Sequence, residues 1–171
     1  ADGTGRFAVA SGKTLTSTDN KNITIVSSGD IGIVGNISSG TGQTTISTAN
    51  GGTIGLGGTA GNSTIDAAEL ANITAGTLNI GNSSTGNITV DGITAGNSNN
   101  ATTVNLTTAN ASSVSFSNNA STFRGLTVSA GNGINQSADL TTSSTTTLDT
   151  DSNDDGSGDF NNTAGSFSSG G

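Results

Sequence analysis

The residues with the strongest claim to chemistry are acids crowded near the end of the chain. Asp151-Ser152-Asn153-Asp154-Asp155-Gly156-Ser157-Gly158-Asp159 matches the first half of an EF-hand calcium loop, D-x-[DN]-x-[DN]-G. Side-chain oxygens at loop positions 1, 3 and 5, a glycine for the sharp turn at 6, a carbonyl at 7 and an acid at 9 suit a hard cation. The candidate calcium ligands are therefore Asp151, Asn153, Asp155, Ser157 and Asp159, with Asp149 beside them. The twelfth position is Asn162 and not the bidentate glutamate, and no flanking helices are evident. The competing reading is a solvated acidic Asx-turn loop between strands. No cofactor is required, and calcium is the one ion this loop would take.

Other chemistry is excluded by what the chain lacks. Among 171 residues there is no His and no Cys. This removes Ser-His-Asp catalysis, imidazole bases, thiolate metal sites and disulfides. Asp66 and Glu69 are the other close acids, and without a cation or aromatic platform nearby they read as a turn or helix start. Sugar sites recruit Trp or Tyr faces, and neither residue occurs. The chain is not expected to be an enzyme. Its only cations are Arg6, Lys13, Lys21 and Arg124, against twelve acids, for a net charge of −8. That balance repels nucleic acid. Six of the acids lie between Asp139 and Asp159, so the rest of the chain is nearly neutral. No stretch approaches the ~18 apolar residues of a membrane span. No basic region followed by an apolar run marks a signal peptide.

The elements that must position these acids are strands. Gly (27), Ser (25), Thr (30) and Asn (21) dominate the sequence. Such a composition first suggests a low-complexity linker. Disordered chains, however, are rich in Pro, Lys and Glu, and this one has no Pro, two Lys and one Glu. Its apolar residues also alternate: Ile23-x-Ile25, Ile31-x-Ile33, Ile54-x-Leu56, Leu78-x-Ile80, Ile88-x-Val90, Val104-x-Leu106, Val114-x-Phe116 and Leu126-x-Val128. A period of two marks a strand with one buried face. Gly- and Asn-rich turns separate the runs. The stretch 66–70, DAAEL, is the one place where a helical turn is expected. Phe116, Phe123, Phe160 and Phe167 are read as core fillers.

Short, evenly spaced strands build a sandwich, a barrel or a solenoid. Three features favour the solenoid. Ile73-Thr-Ala-Gly76 recurs as Ile93-Thr-Ala-Gly96, 20 residues on, about one coil of three short strands. Strands inside a solenoid pair on both sides, where Pro would lose a ladder bond. Stacked coils place each surface residue over its counterpart, so like charges repel while Ser, Thr and Asn do not. The expected fold is all-β: a right-handed parallel β-helix of about seven to eight coils of roughly 20 residues each.

The two ends of the chain match. Asp2-Gly-Thr-Gly-Arg-Phe7 aligns with Asp155-Gly-Ser-Gly-Asp-Phe160 at an offset of 153 residues, and Gly12 and Gly165 follow. Residues 1–171 are expected to be a single solenoid segment, in which 2–154 form one unit and 155–171 begin the next.

The stretch Glu69-LANITAGTLNIGNSSTGNITVDGITAGN-Ser98, the opening SGKTLTSTDNKNITIVSSGDI and the segment LDTDSNDDGSGDF resemble filamentous-haemagglutinin-like exoproteins. These are very large bacterial surface proteins, often secreted by the two-partner route, with right-handed parallel β-helical repeats. The resemblance covers roughly residues 11–160. It implies an extracellular rod at the bacterial cell surface, a structural or adhesive fibre, with axial neighbours and a host or neighbouring-cell surface as partners. Two other readings stand beside it. One is a calcium-dependent adhesive or ligand-binding module using the 149–159 loop. The other is ice or surface binding through Thr-x-Thr arrays, with Thr14-x-Thr16 and Thr145-x-Thr147 as fragments. The sequence shows no regular Thr-x-Thr period to support that array.

Overall fold

A computed structural model describes residues 5–170. In chain order the elements are β1 (Phe7–Val9), β2 (Thr14–Thr16), β3 (Ile23–Ser27), β4 (Ile31–Ile33), β5 (Asn36–Ser38), β6 (Gln43–Thr48), β7 (Ile54–Gly57) and β8 (Ser63–Ile65). A helical turn α1 (Ala67–Ala71), β9 (Ile73–Gly81), β10 (Ile88–Asp91) and a second turn α2 (Ala95–Ser98) follow. Then come β11 (Ala101–Thr107), β12 (Val114–Phe116), β13 (Ser121–Phe123), β14 (Leu126–Ser129), β15 (Ile134–Gln136) and β16 (Leu140–Thr142). The last are β17 (Thr146–Asp149), β18 (Phe160–Asn162) and β19 (Phe167–Ser169). Every apolar alternation read from the sequence lies in a strand.

All described strand pairs are parallel, and all but one join strands far apart in the chain. The fold is mostly β with parallel sheets. The registers put apolar residues beside apolar residues. One row runs Ile54, Ile88, Val114, Ile134, Phe160. Another runs Ile46, Ile80, Leu106, Val128, Leu148. The buried members of these rows form one core cluster. Burial of each large side chain contributes about 1.5–3 kcal/mol. A parallel sheet is usually covered on both faces. Here most of the alternate residues are Thr, Ser and Asn at half-buried or exposed positions, with Ser47, Gly55 and Gly81 buried among them.

The spacing between partners is less regular than the expected 20 residues. It is 20 from Leu126 to Thr146 and 22 from Val104 to Leu126, but 26 from Leu78 to Val104 and 34 from Thr44 to Leu78. The longest gap holds β7, β8 and α1. Strands β7 and β8 pair in parallel only nine residues apart, Ile54 beside Ser63. Then α1 closes the insertion, with Asp66 and Glu69 forming a reciprocal cap.

Two expectations are corrected. The repeated Ile-Thr-Ala-Gly phrases do not stack. Ile73 lies beside Ile37, and Ala75 beside Ala101. Residues 93–96 instead lead into α2, which packs on α1, and Asn97 Nδ2 donates to the Ala67 carbonyl at 2.9 Å. An Asn at the third helical position lets Asn97 Oδ1 accept from both the Thr94 N–H and its hydroxyl, at 3.0 and 2.6 Å, and this turns the same phrase into a helix. The second correction concerns phenylalanine. Phe116 and Phe123 are buried, but Phe160 and Phe167 are 43% and 41% exposed. They head β18 and β19, each of which pairs with one strand among the described residues.

The 2–154 unit begins outside the described residues, because 2–4 are not among them. Within them, Phe7 heads β1 as Phe160 heads β18, and Gly12 and Gly165 both have positive φ, 70° and 83°.

Candidate functional site

The acidic loop joins β17 to β18 and is pinned to the strands beneath it. The Ser152 N–H donates to the Ala130 carbonyl at 3.0 Å, and the Gly133 N–H donates to the Thr150 carbonyl at 2.9 Å. Gly156 takes a φ of 80°, the left-handed conformation that the turn requires and that a side chain opposes.

Four of the five sequence-derived ligands belong to one hydrogen-bonded network. Asp151 accepts the Asp155 N–H at 3.2 Å on Oδ1 and the Gly156 N–H at 2.9 Å on Oδ2. Asn153 Nδ2 donates to Asp155 Oδ2 at 2.6 Å. The Ser157 N–H donates to Asp155 Oδ1 at 2.8 Å. Asp155 is held below the usual carboxylate range, first by the Ser157 N–H and then by the Asn153 amide. Asp149 accepts the Asp151 N–H at 3.3 Å.

Asp159 stands apart. Its carbonyl accepts the Ile134 N–H at 3.0 Å, and it lines a recess with Asn132, Asn135 and Phe160. Asp155 and Ser157 line a neighbouring recess with Asn110 and Asn132. Among the described residues no three Asp or Glu side chains are grouped where they could hold a metal ion. A cation here would therefore depend on neutral oxygens. The Asn153 side chain supplies one: its Oδ1 is buried and has no hydrogen-bond partner.

Asp66 and Glu69 are occupied structurally. Asp66 Oδ1 accepts the Glu69 N–H at 2.8 Å, and Glu69 Oε2 accepts the Asp66 N–H at 2.9 Å. Glu69 Oε1 reaches the Ile33 N–H at 2.8 Å. A carboxylate thus stands in where β4 needs an acceptor.

The sequence reading missed Asp91. It ends β10 and is only 4% exposed. Its Oδ2 accepts from Asn118 Nδ2 at 3.0 Å, and its Oδ1 accepts from the Asn119 N–H at 3.1 Å and Asn119 Nδ2 at 2.9 Å. The Asn118 amide leads the contacts that lower its pKa, and burial opposes them. Below it, Gly57 has a φ of 90°, and a Cβ there would collide with the Asp91 carbonyl. The available signal was the pair Asn118-Asn119, but 27 residues separate it from Asp91.

Compared with known proteins, the chain matches no family model, no curated protein and no solved structure. No helix among the described residues is long and apolar enough to cross a membrane.

Proposed function

We propose that the chain is a stretch of a right-handed parallel β-helix of about seven or eight coils. It serves as a structural or adhesive rod of a large, extracellular bacterial surface protein, as its likeness to filamentous-haemagglutinin-like exoproteins implies. The observation that carries this reading is the register: parallel strands repeatedly set like on like, Leu beside Val and Thr beside Asn. A rod needs such a ladder along its axis, and uncharged outer rows let the coils stack without repulsion. The shared spacing of Phe7 with Gly12 and Phe160 with Gly165 supports residues 155–171 as the beginning of a second unit. Its partners are axial neighbours and a host or neighbouring-cell surface.

Small-angle scattering tests the shape. Seven or eight coils about 4.8 Å apart make only about 3.5 nm, so the shape is read on several units in tandem: the maximum dimension should grow in proportion to the number of units at constant cross-section, and separate compact beads end the reading. Protease shaving of intact producing cells, followed with an antibody to this segment, tests the location.

The second reading is a calcium-dependent adhesive module built on Asp151, Asn153, Asp155 and Ser157, the four candidate ligands that share one network, with Asp159 apart from them. The unpartnered Asn153 Oδ1 favours it. Binding at a hundredfold excess over Kd would add about 2.7 kcal/mol of stability. Thermal melting in calcium and in chelator decides it, and identical curves end the reading.

A further inference from the structure

The chain holds two Asn-Gly pairs, Asn50-Gly51 and Asn132-Gly133, and the fold treats them differently. In such a pair the main-chain nitrogen can attack the preceding side-chain amide, because glycine has no Cβ to hinder the approach. At Asn132-Gly133 that nitrogen is committed. The Gly133 N–H donates to the Thr150 carbonyl at 2.9 Å, Gly133 is buried, and Ile134 begins β15 in the core. The described Asp-Gly pairs are tied in the same way. The Gly92 N–H donates to the Asn119 carbonyl at 3.3 Å, and the Gly156 N–H donates to Asp151 Oδ2 at 2.9 Å. Asn50-Gly51 is the exception. Both residues are exposed at the tip of the turn from β6 to β7, with φ of 55° and 73°. Among the described residues no hydrogen bond occupies the Gly51 N–H or the Asn50 side chain. A Cβ on Gly51 would meet only the Ser84 carbonyl oxygen, at 3.8 Å. The feet of the turn are held: the Ala49 N–H donates to the Ser27 carbonyl at 2.9 Å, and the Gly86 N–H donates to the Gly52 carbonyl at 3.0 Å. The tip is closed by the Gly52 N–H, which donates to the Ala49 carbonyl at 3.2 Å.

We propose that Asn50 is a site of spontaneous deamidation, with the Gly51 nitrogen as nucleophile and water as the co-reactant. Once the Gly52–Ala49 bond opens, rotation about the Cα–C bond of Asn50 carries the Gly51 nitrogen to Asn50 Cγ. The nitrogen gives up its proton and bonds to Cγ. The Cγ–Nδ2 bond breaks, and Nδ2 leaves as ammonia with a proton in exchange for the one released. Water then opens the five-membered imide. Cleavage at Cγ leaves aspartate, and cleavage at the main-chain carbonyl leaves isoaspartate, with the chain routed through the former side chain. Either product adds one negative charge, taking the net charge from −8 to −9 (−8 − 1), and no step restores the amide. The same attack at Asn132 first requires the Gly133–Thr150 bond to break beside a core strand. Such an opening is rarer than that of an exposed turn. The proposal uses one turn and is independent of the rod reading.

The experiment ages the whole chain in mildly alkaline buffer, folded and in urea, and follows both sites by peptide mass spectrometry. A protease that cuts before Ile, Leu and Val puts Asn50 and Asn132 on separate peptides. In the folded chain Asn50 should convert about tenfold or more faster than Asn132, because only the second site needs a core strand to open. In urea the two should convert at similar rates. Isoelectric focusing should show an acidic band growing in the folded wild type and in Asn132→Gln. That band should be lost from Asn50→Gln, whose longer side chain cannot close the five-membered ring. Circular dichroism melts accompany each variant. A folded wild type that keeps the Asn50 amide while the unfolded chain reacts overturns the proposal. So does folded Asn132 reacting as fast as Asn50, a preference for Asn50 that persists unchanged in urea, or an unfolded chain that reacts at neither site.

Discussion

Asn105 donates from Nδ2 to the Oδ1 of Asn79 at 2.9 Å, across 26 residues of sequence and a single strand-to-strand step. The bond exists because β9 and β11 are parallel and in register from Ala75 beside Ala101 to Gly81 beside Thr107. Asn105→Ala removes the donor and leaves Asn79 Oδ1 to water. Urea unfolding should report a loss of about 0.5–1.5 kcal/mol. Replacing both with Asp sets two carboxylates side by side, and that variant should be weaker still and regain stability in salt.

The core should be sensitive where it is thin. Leu106 is fully buried between Ile80 and Val128. Leu106→Ala is expected to cost about 2–5 kcal/mol in equilibrium unfolding. Val26 is 60% exposed, and Val26→Ala should change stability by no more than about 0.5 kcal/mol.

Proline should be excluded from the stacked strands. The Thr122 N–H donates to the Ile93 carbonyl at 2.6 Å, and its strand also pairs with β16. Thr122→Pro loses that donor in the middle of a sheet and should lower the melting midpoint. Thermal melting checks this, and an unchanged midpoint would place the strand outside the cooperative unit.

Acid should weaken the fold through Asp91. Its folded pKa lies below the ordinary value, because Asn118 and Asn119 favour the carboxylate. The unfolded chain therefore takes up the proton first. The stabilisation is complete above the unfolded pKa of about 3.9 and is lost as pH falls through the lower folded value. Asp91→Asn turns an amide toward the Asn118 and Asn119 amides, so it should melt lower at neutral pH and show a flatter acid limb. An unchanged acid limb would assign the titration elsewhere.

Much of the architecture was legible in local pattern. Ile88-x-Val90 and Leu126-x-Val128 are strands because alternation buries one face, and the helical turn at α1 followed from its acidic cap. Strands such as β13 and β16 were harder to see, because Ser121 and Thr142 occupy inward positions beside Phe123 and Leu140. The calcium motif was visible as a turn. Whether its oxygens converge depends on where the loop rests on Ala130 and Gly133, which no local pattern records.

By itself, the sequence determined that this chain makes short, one-faced strands without histidine, cysteine or proline, because composition and alternation act over a few residues. Only the tertiary structure decided which strands are neighbours. Partner spacings of 20, 22, 26 and 34 residues scramble the period of the outer Thr and Asn residues. Turns and the β7–α1 insertion absorb those differences, while the backbone ladder and the buried rows hold the strands in register. The Asn79–Asn105 bond and the burial of Asp91 both follow from that register.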